Sequence, residues 1–231
     1  TRIYDQSKVI SYYDDVAATF TNFAMSGIDK VHFGLEAAVS IPIYHTLALN
    51  GAVSWGQYTY DSNPYYLQTQ DNSGDIVSDG YVYWKDFRVE STPQTAVNVG
   101  LSWRSNNNIY LSADFNYYNN MYLSMSPIYR TDAVITGGMA PGDIEHLRRQ
   151  EKFDSAYTLN ASIGKNWYIH RKYTLGFSLD VKNILNNQDI KTGGYEQTRL
   201  SKTTVTTYQA FDSKYFYMFG TTYYLNLYFR F

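Results

Sequence analysis

Along much of this chain apolar and polar side chains exchange places at every residue, the two-residue period of a strand with one greasy face and one wet face. Tyr223, Leu225, Leu227, Phe229 and Phe231 alternate with Tyr224, Asn226, Tyr228 and Arg230 up to the last residue. From Tyr173 to Lys182 the odd positions are apolar or aromatic and the even ones small, polar or charged. The same rhythm runs through Tyr157, Leu159, Ala161 and Ile163, through Ile109, Leu111, Ala113, Phe115 and Tyr117, and through Thr95, Val97, Val99, Leu101 and Trp103. It returns in Leu47, Leu49, Val53 and Trp55, interrupted by Gly51, and in Phe33, Leu35, Ala37, Val39 and Ile41. A further segment, Val16 to Met25, alternates poorly. The pattern predicts about eight antiparallel strands.

The connections add a direction. Pro42 to Thr46, Ser105 to Asn108 and Ile169 to Lys172 are short, whereas Asp61 to Glu90, Ser124 to Asp154 and Asn186 to Lys214 are long and polar. Short and long connections take turns, so antiparallel strands place all the long ones at one end. A soluble β-sandwich shares the alternation but has no reason to sort its loops by length. A transmembrane barrel does, with brief periplasmic turns and extended outer loops. Pro42 at the end of one strand and Pro93 just before another are tolerable ladder positions.

Composition narrows the class. The chain has 231 residues, of which 25 are Tyr, 12 Phe and 4 Trp, yet only 44% are apolar. No run of about 18 uncharged apolar residues exists, which excludes membrane-spanning helices. Abundant aromatics in a hydrophilic chain fit the girdles of an outer-membrane barrel. The net charge of -2 argues against a nucleic-acid partner. Zero Cys is neutral between compartments. Thr1 to Asp5 lack the features of a signal peptide, so a mature chain or a piece of a longer one is expected.

A search for chemistry finds little. His32, His45, His146 and His170 are far apart and show no metal-ligand spacing, so neither metal nor other cofactor is expected. Asp14-Asp15 reads as a solvated loop pair. Glu145, His146, Arg148 and Arg149 form a charged cluster in a long loop, read as wet surface. Gly137-Gly138, Gly142 and Gly193-Gly194 do not open a helix after a buried strand, as a phosphate loop requires, and read as flexible outer turns. Glu36, Asp114, Asp180, Lys182 and Arg230 fall on the wet face. With no His in a confident wet-face position, an outer-membrane hydrolase is disfavoured and no enzyme is expected.

Particular words then resemble a family. A chain ending on Phe231, with Phe229, Leu227, Leu225 and Tyr223 at every second position before it, resembles the closing strand of bacterial outer-membrane barrels, where those residues form the assembly signal. Residues 21–36, in which Asn22 precedes a short connection and Gly34-Leu35-Glu36 opens the next strand, resemble a segment of TonB-dependent receptors of the Bacteroidetes type. So do the Thr92-Pro93 strand entry, the words Asn183-Ile184-Leu185-Asn186 and 192–199, and Lys214 to Tyr217. The resemblance implies an all-β fold: residues 1–231 would be about eight C-terminal strands of an antiparallel transmembrane β-barrel of about 22 strands, its plug and N-terminal strands absent. It implies an outer-membrane location with a periplasmic C-terminus, outer-membrane lipid around the wall, and TonB-dependent nutrient uptake. The implied partners are the rest of the barrel and plug, an inner-membrane energy-coupling complex acting through the plug, and a surface lipoprotein. The nutrient, an iron complex, cobalamin, glycan or peptide, and the residues that bind it stay open, although Tyr65, Tyr66 and Tyr81 to Trp84 are candidates for stacking on sugars. The alternative is a self-contained eight-stranded barrel serving as adhesin or structural anchor.

Overall fold

A computed structural model describes residues 1–14, 18–90, 92–137, 141–170, 172–202 and 208–231. In chain order it contains β1 (Arg2–Asp14), β2 (Thr19–Tyr44), β3 (Leu47–Tyr60), β4 (Tyr65–Gln70), β5 (Ile76–Tyr81), β6 (Thr95–Arg104) and β7 (Ile109–Asn119). A 3-10 turn (Ile128–Arg130) and helices α1 (Asp132–Ile135) and α2 (Pro141–Arg148) follow. The chain then forms β8 (Ala156–Ile169), β9 (Tyr173–Lys182), β10 (Lys191–Tyr195), β11 (Leu200–Lys202), β12 (Tyr208–Ala210), β13 (Lys214–Tyr217) and β14 (Thr222–Arg230). The fold is all-β and antiparallel. One 10-stranded sheet runs β14-β9-β8-β7-β6-β3-β2, with the β4–β5 hairpin continuing beside the upper part of β2 and β1 on the opposite edge of β2.

The register carries the alternation of each strand across the whole sheet. Leu225, Leu179, Ile163, Leu111, Trp103 and Leu47 pair in one row, and Val39, Gly51, Val99, Phe115 and Leu159 in another. One face is therefore predominantly apolar from β2 to β14, with Lys165 lying on it between Ile109 and Phe177 and over the ring of Trp167, and most of its large side chains are exposed. The opposite face is polar and laced across strands. Ser40 Oγ donates to Asn50 Oδ1 at 2.7 Å, Asn98 Nδ2 to Asn116 Oδ1 at 2.9 Å, and the Ser112 and Ser162 hydroxyls lie 2.8 Å apart. Tyrosines on this face lie down on glycines of the neighbouring strand. A Cβ added at Gly164 would run into the ring of Tyr110, and one at Gly176 into the ring of Tyr228. The Tyr228 hydroxyl also donates to Asn166 Oδ1.

The short turns and the long connections do separate to opposite ends of the sheet. Arg171, in the last short turn, lies outside the described residues. At the far end β2 outruns its neighbours: its 26 residues extend about 85 Å, against the 9–11 residues a membrane strand needs. Gly27, at φ 73°, falls where the pairing with β1 slips out of register. An extra residue in one strand reverses the side-chain parity beyond it. Below the bulge Phe33, Leu35, Val39 and Ile41 are exposed on the apolar face, whereas above it Thr21, Phe23 and Met25 are buried.

Several expectations are corrected here. Val16 to Met25 is not a separate strand: Thr19 onward is the first part of β2, while Val16 and Ala17 lie outside the described residues. Asn22, Gly34 and Glu36 consequently share one continuous strand, and no connection divides them. Alternation also did not reveal β1, whose period is broken by register shifts at Ile3/Gln6 and Gln6/Lys8, nor the short strands β4, β5, β10, β11 and β12 inside the long connections. Asp14 ends β1, paired with Thr19, instead of sitting in a loop; Asp15 lies outside the described residues. Gly142 belongs to α2, and Gly193 and Gly194 to β10. Gly138 and Ser91 are outside the described residues.

Neither end of the sheet is paired onward. β14 pairs with β9 alone, and β2 beyond His32 pairs with β3 alone, because β1 meets β2 only up to Val31 and a backbone bond from His32 to Thr1. Among the described residues no pairing joins β14 to β1 or β2, so the sheet is not closed.

Candidate functional site

The long connections build a folded canopy at the end where β1 and β2 project. Its core is apolar and aromatic: Phe23 stacks on Tyr66 with centroids 4.5 Å apart, Tyr60 packs on Trp84 at 4.7 Å, and Met125, Ile128, Tyr129, Val134 and Leu147 close over them. Elements that looked like loops in sequence are thus held by a common core. Of the tyrosines proposed for sugar stacking, Tyr66 is buried, as is Trp84; Tyr65 and Tyr81 are exposed and touch edge-to-face at 5.7 Å.

The canopy is locked by Arg130, which is 0% exposed. Its Nη1 and Nη2 grip Glu196 at 2.5 and 2.8 Å, and the guanidinium also donates to the carbonyls of Ser126, Arg148 and Arg149. Its plane lies 5.4 Å from the ring of Phe87. Glu196 accepts a third bond, from the Ser126 amide at 2.7 Å. One side chain therefore joins the connections after β3, β7 and β9. A buried charge pair is tolerable only when its donors and lone pairs are satisfied in this way.

Beside the lock opens a cleft of about 530 Å³, walled by the end of α2 and residues 149–152 on one side and by residues 210–215 on the other. Leu123, Tyr129 and Leu147 form apolar wall, and His146, Arg149, Gln150, Glu151, Lys152, Glu196, Asp212 and Ser213 supply polar groups. Glu151 accepts from Lys191 Nζ at 3.0 Å and from the Tyr215 hydroxyl at 2.7 Å, while the Lys191 ammonium sits 3.8 Å over the Tyr215 ring. Burial pushes the Tyr129 hydroxyl up from 10.0 to about 12. Burial and then the bond to Glu151 raise Tyr215. For Lys191 burial works downward, but Glu151 outweighs it and the ammonium is held more firmly.

Of the residues singled out in the sequence, His146 and Arg149 of the charged cluster line this cleft, whereas the assembly-signal residues and Asn22, Gly34, Glu36, Pro93, Asn183 and Asn186 do not. Tyr223, Leu225, Leu227 and Phe229 lie on the apolar face with Phe231 next to Phe229, and Arg230 stacks beside Tyr228 on the other face. Asn183 and Asn186, both in left-handed backbone, tie the exit of β9 to the entry of β14: Asn183 Nδ2 donates to the carbonyls of Asn187 and Phe219, and Asn186 Oδ1 accepts from the Thr221 amide. Asn22 links β1 to the β4–β5 hairpin by accepting from Ser11 and donating to Asp71. Gly34 is required by the close backbone of Trp55, 2.8 Å from where a Cβ would stand, and Glu36 meets Ser54 at 3.4 Å on the polar face. After Pro93, the buried Gln94 binds the backbone of Tyr58 on both sides. Arg130, Glu151 and Lys191 drew no attention in sequence. The pairing of Arg130 with Glu196 spans 66 positions, and nothing local announces it.

Among the described residues no group of acidic, His or Cys side chains could hold a metal. No family model matches the chain, and comparison with curated proteins finds no relative.

Proposed function

We propose that this chain is barrel wall and outer loops of an outer-membrane receptor for TonB-dependent uptake of a nutrient, an iron complex, cobalamin, glycan or peptide. The observation that carries the reading is the sheet: apolar on one face over most of its rows, hydrogen-bonded and polar on the other, short-turned at one end and, among the described residues, unpaired at both edges. In lipid, unpaired backbone groups cost several kcal/mol each, so such edges call for further strands. A self-contained barrel would instead pair β14 with the first strands, and that pairing is absent among the described residues. On this reading the C-terminus is periplasmic, lipid surrounds the wall, and the remaining barrel, a plug, the inner-membrane energy-coupling complex and a surface lipoprotein are the partners. The chain then has no catalytic task. It binds no nucleic acid.

These 231 residues contain no cysteine, so any labelling within them reports the introduced position. Single cysteines at Asn226 and Leu227 in the intact gene product, probed in isolated outer membranes with a water-soluble maleimide, are expected to label at Asn226 and not at Leu227. Equal labelling at both positions, or recovery of the protein outside the outer membrane, overturns the reading.

A further inference from the structure

We infer that the canopy cleft is a binding site for a small polycarboxylate ligand, a step that rests on the receptor reading and names the chemistry of what is taken up. The charge on the cleft walls decides its class. Glu196 and Glu151 are already spent on Arg130 and Lys191. Arg149, Lys152 and His146, by contrast, have no acidic partner among the described residues, and Asp212 is the carboxylate left to oppose them. The basic groups are placed, not merely present. Arg130 takes the carbonyls of both Arg148 and Arg149, which fixes the end of α2 and quenches the negative end of its dipole. Lys152 is pinned through a bridge between its backbone and that of Tyr122.

The aromatic side chains argue against a neutral sugar. The Tyr215 ring already carries Lys191 at 3.8 Å, the Phe211 ring carries Arg199 at 4.7 Å, and the Tyr129 ring is buried. Stacking on a neutral sugar needs an open ring face, whereas these rings hold cations at the rim. The volume of about 530 Å³ lies within the range of sites for small ligands. Two or more carboxylates spread over a ligand of a few rings would meet Arg149, Lys152 and His146 as charge-assisted hydrogen bonds. The same chemistry has two sources: a uronate oligosaccharide and a metal chelated by a polycarboxylate.

The test is calorimetric titration of the intact gene product in detergent with trigalacturonate, ferric citrate and neutral maltotriose. Binding of one of the anionic probes, weakened by salt, with none of maltotriose, is expected; which one binds identifies the source. The double variant R149Q/K152Q, at exposed positions, is expected to lower that affinity about 100-fold, on the order of tenfold for each charge-assisted hydrogen bond removed. K172Q, at the opposite end of the sheet, is expected to leave it unchanged. Binding of maltotriose alone, of no probe, or of an anionic probe with unchanged affinity in R149Q/K152Q overturns the assignment. The membrane labelling of Asn226 and Leu227 separates the two readings. No anionic binding in a correctly labelled outer-membrane protein refutes the cleft alone, whereas anionic binding by a protein outside the membrane refutes the receptor alone.

Discussion

At the scale of single residues, polar groups with several partners hold what apolar burial cannot specify. The Arg130 guanidinium is shared among Glu196 and the carbonyls of Ser126, Arg148 and Arg149, so removing it orphans a buried carboxylate and several carbonyls together. Breaking one partner of a buried ion pair costs about 3–5 kcal/mol. Arg130→Met is therefore expected to loosen the canopy by that amount while leaving the β9–β14 ladder intact. Hydrogen exchange read by mass spectrometry checks this: peptides covering 121–137 and 190–197 should exchange faster and those covering 173–182 should not. Uniform loss of protection, or none, would show that Arg130 is not a local lock. Asn183 does comparable work at the exit of β9, where its left-handed backbone and its amide bind residues on both sides of the gap.

Among elements, β2 is the one that does two jobs. Its lower half belongs to the two-faced main sheet and its upper half is canopy floor, and the Gly27 bulge is what lets one alternating strand serve both. Because parity reverses at the bulge, Phe23 and Met25 turn inward although they share odd numbering with the exposed Phe33 and Leu35. Deleting Gly27 is expected to restore a single parity and drive Phe23 and Met25 out of the core, at about 2–5 kcal/mol for each large apolar side chain expelled. Limited proteolysis reads the outcome. Cuts should appear in the β4–β5 hairpin, which stacks on Phe23 through Tyr66, while the wall below stays resistant. A variant as resistant as the parent would mean that β1 absorbs the shift and the bulge is not needed.

At the scale of the whole molecule, the sheet ends in open edges at β14 and at the lower part of β2. Alternate backbone groups along β14 face outward with no strand to receive them, and edges of this kind bind further strands, in the same molecule or another. The 231 residues expressed alone and refolded in detergent are expected to form no conducting pore in a planar bilayer, and the outward amides of β14 should exchange quickly. Steady single-channel conductance together with full protection of β14 would show closure within this chain and refute the receptor-fragment reading.

What the sequence by itself determined was the main antiparallel sheet. Strict alternation in β6, β7, β8, β9 and β14 is a local signal, since a two-residue period assigns each side chain to a face before any partner strand is known. The short turn at 105–108 follows from the same signal, for it lies where one alternating run stops and another begins, while the turn expected at 42–46 is confined to 45–46 because Pro42 to Tyr44 still belong to β2. The canopy was not legible. Its strands β4, β5, β10 and β13 are short, its core mixes tyrosines with aliphatics at no fixed period, and its lock joins residues 66 positions apart. β1 and the start of β2 misled for a physical reason: register shifts and a bulge interrupt the period there, so a continuous strand reads as an irregular one. Faces are decided by neighbours in sequence, whereas the cleft and the charges that line it exist only once distant connections pack together.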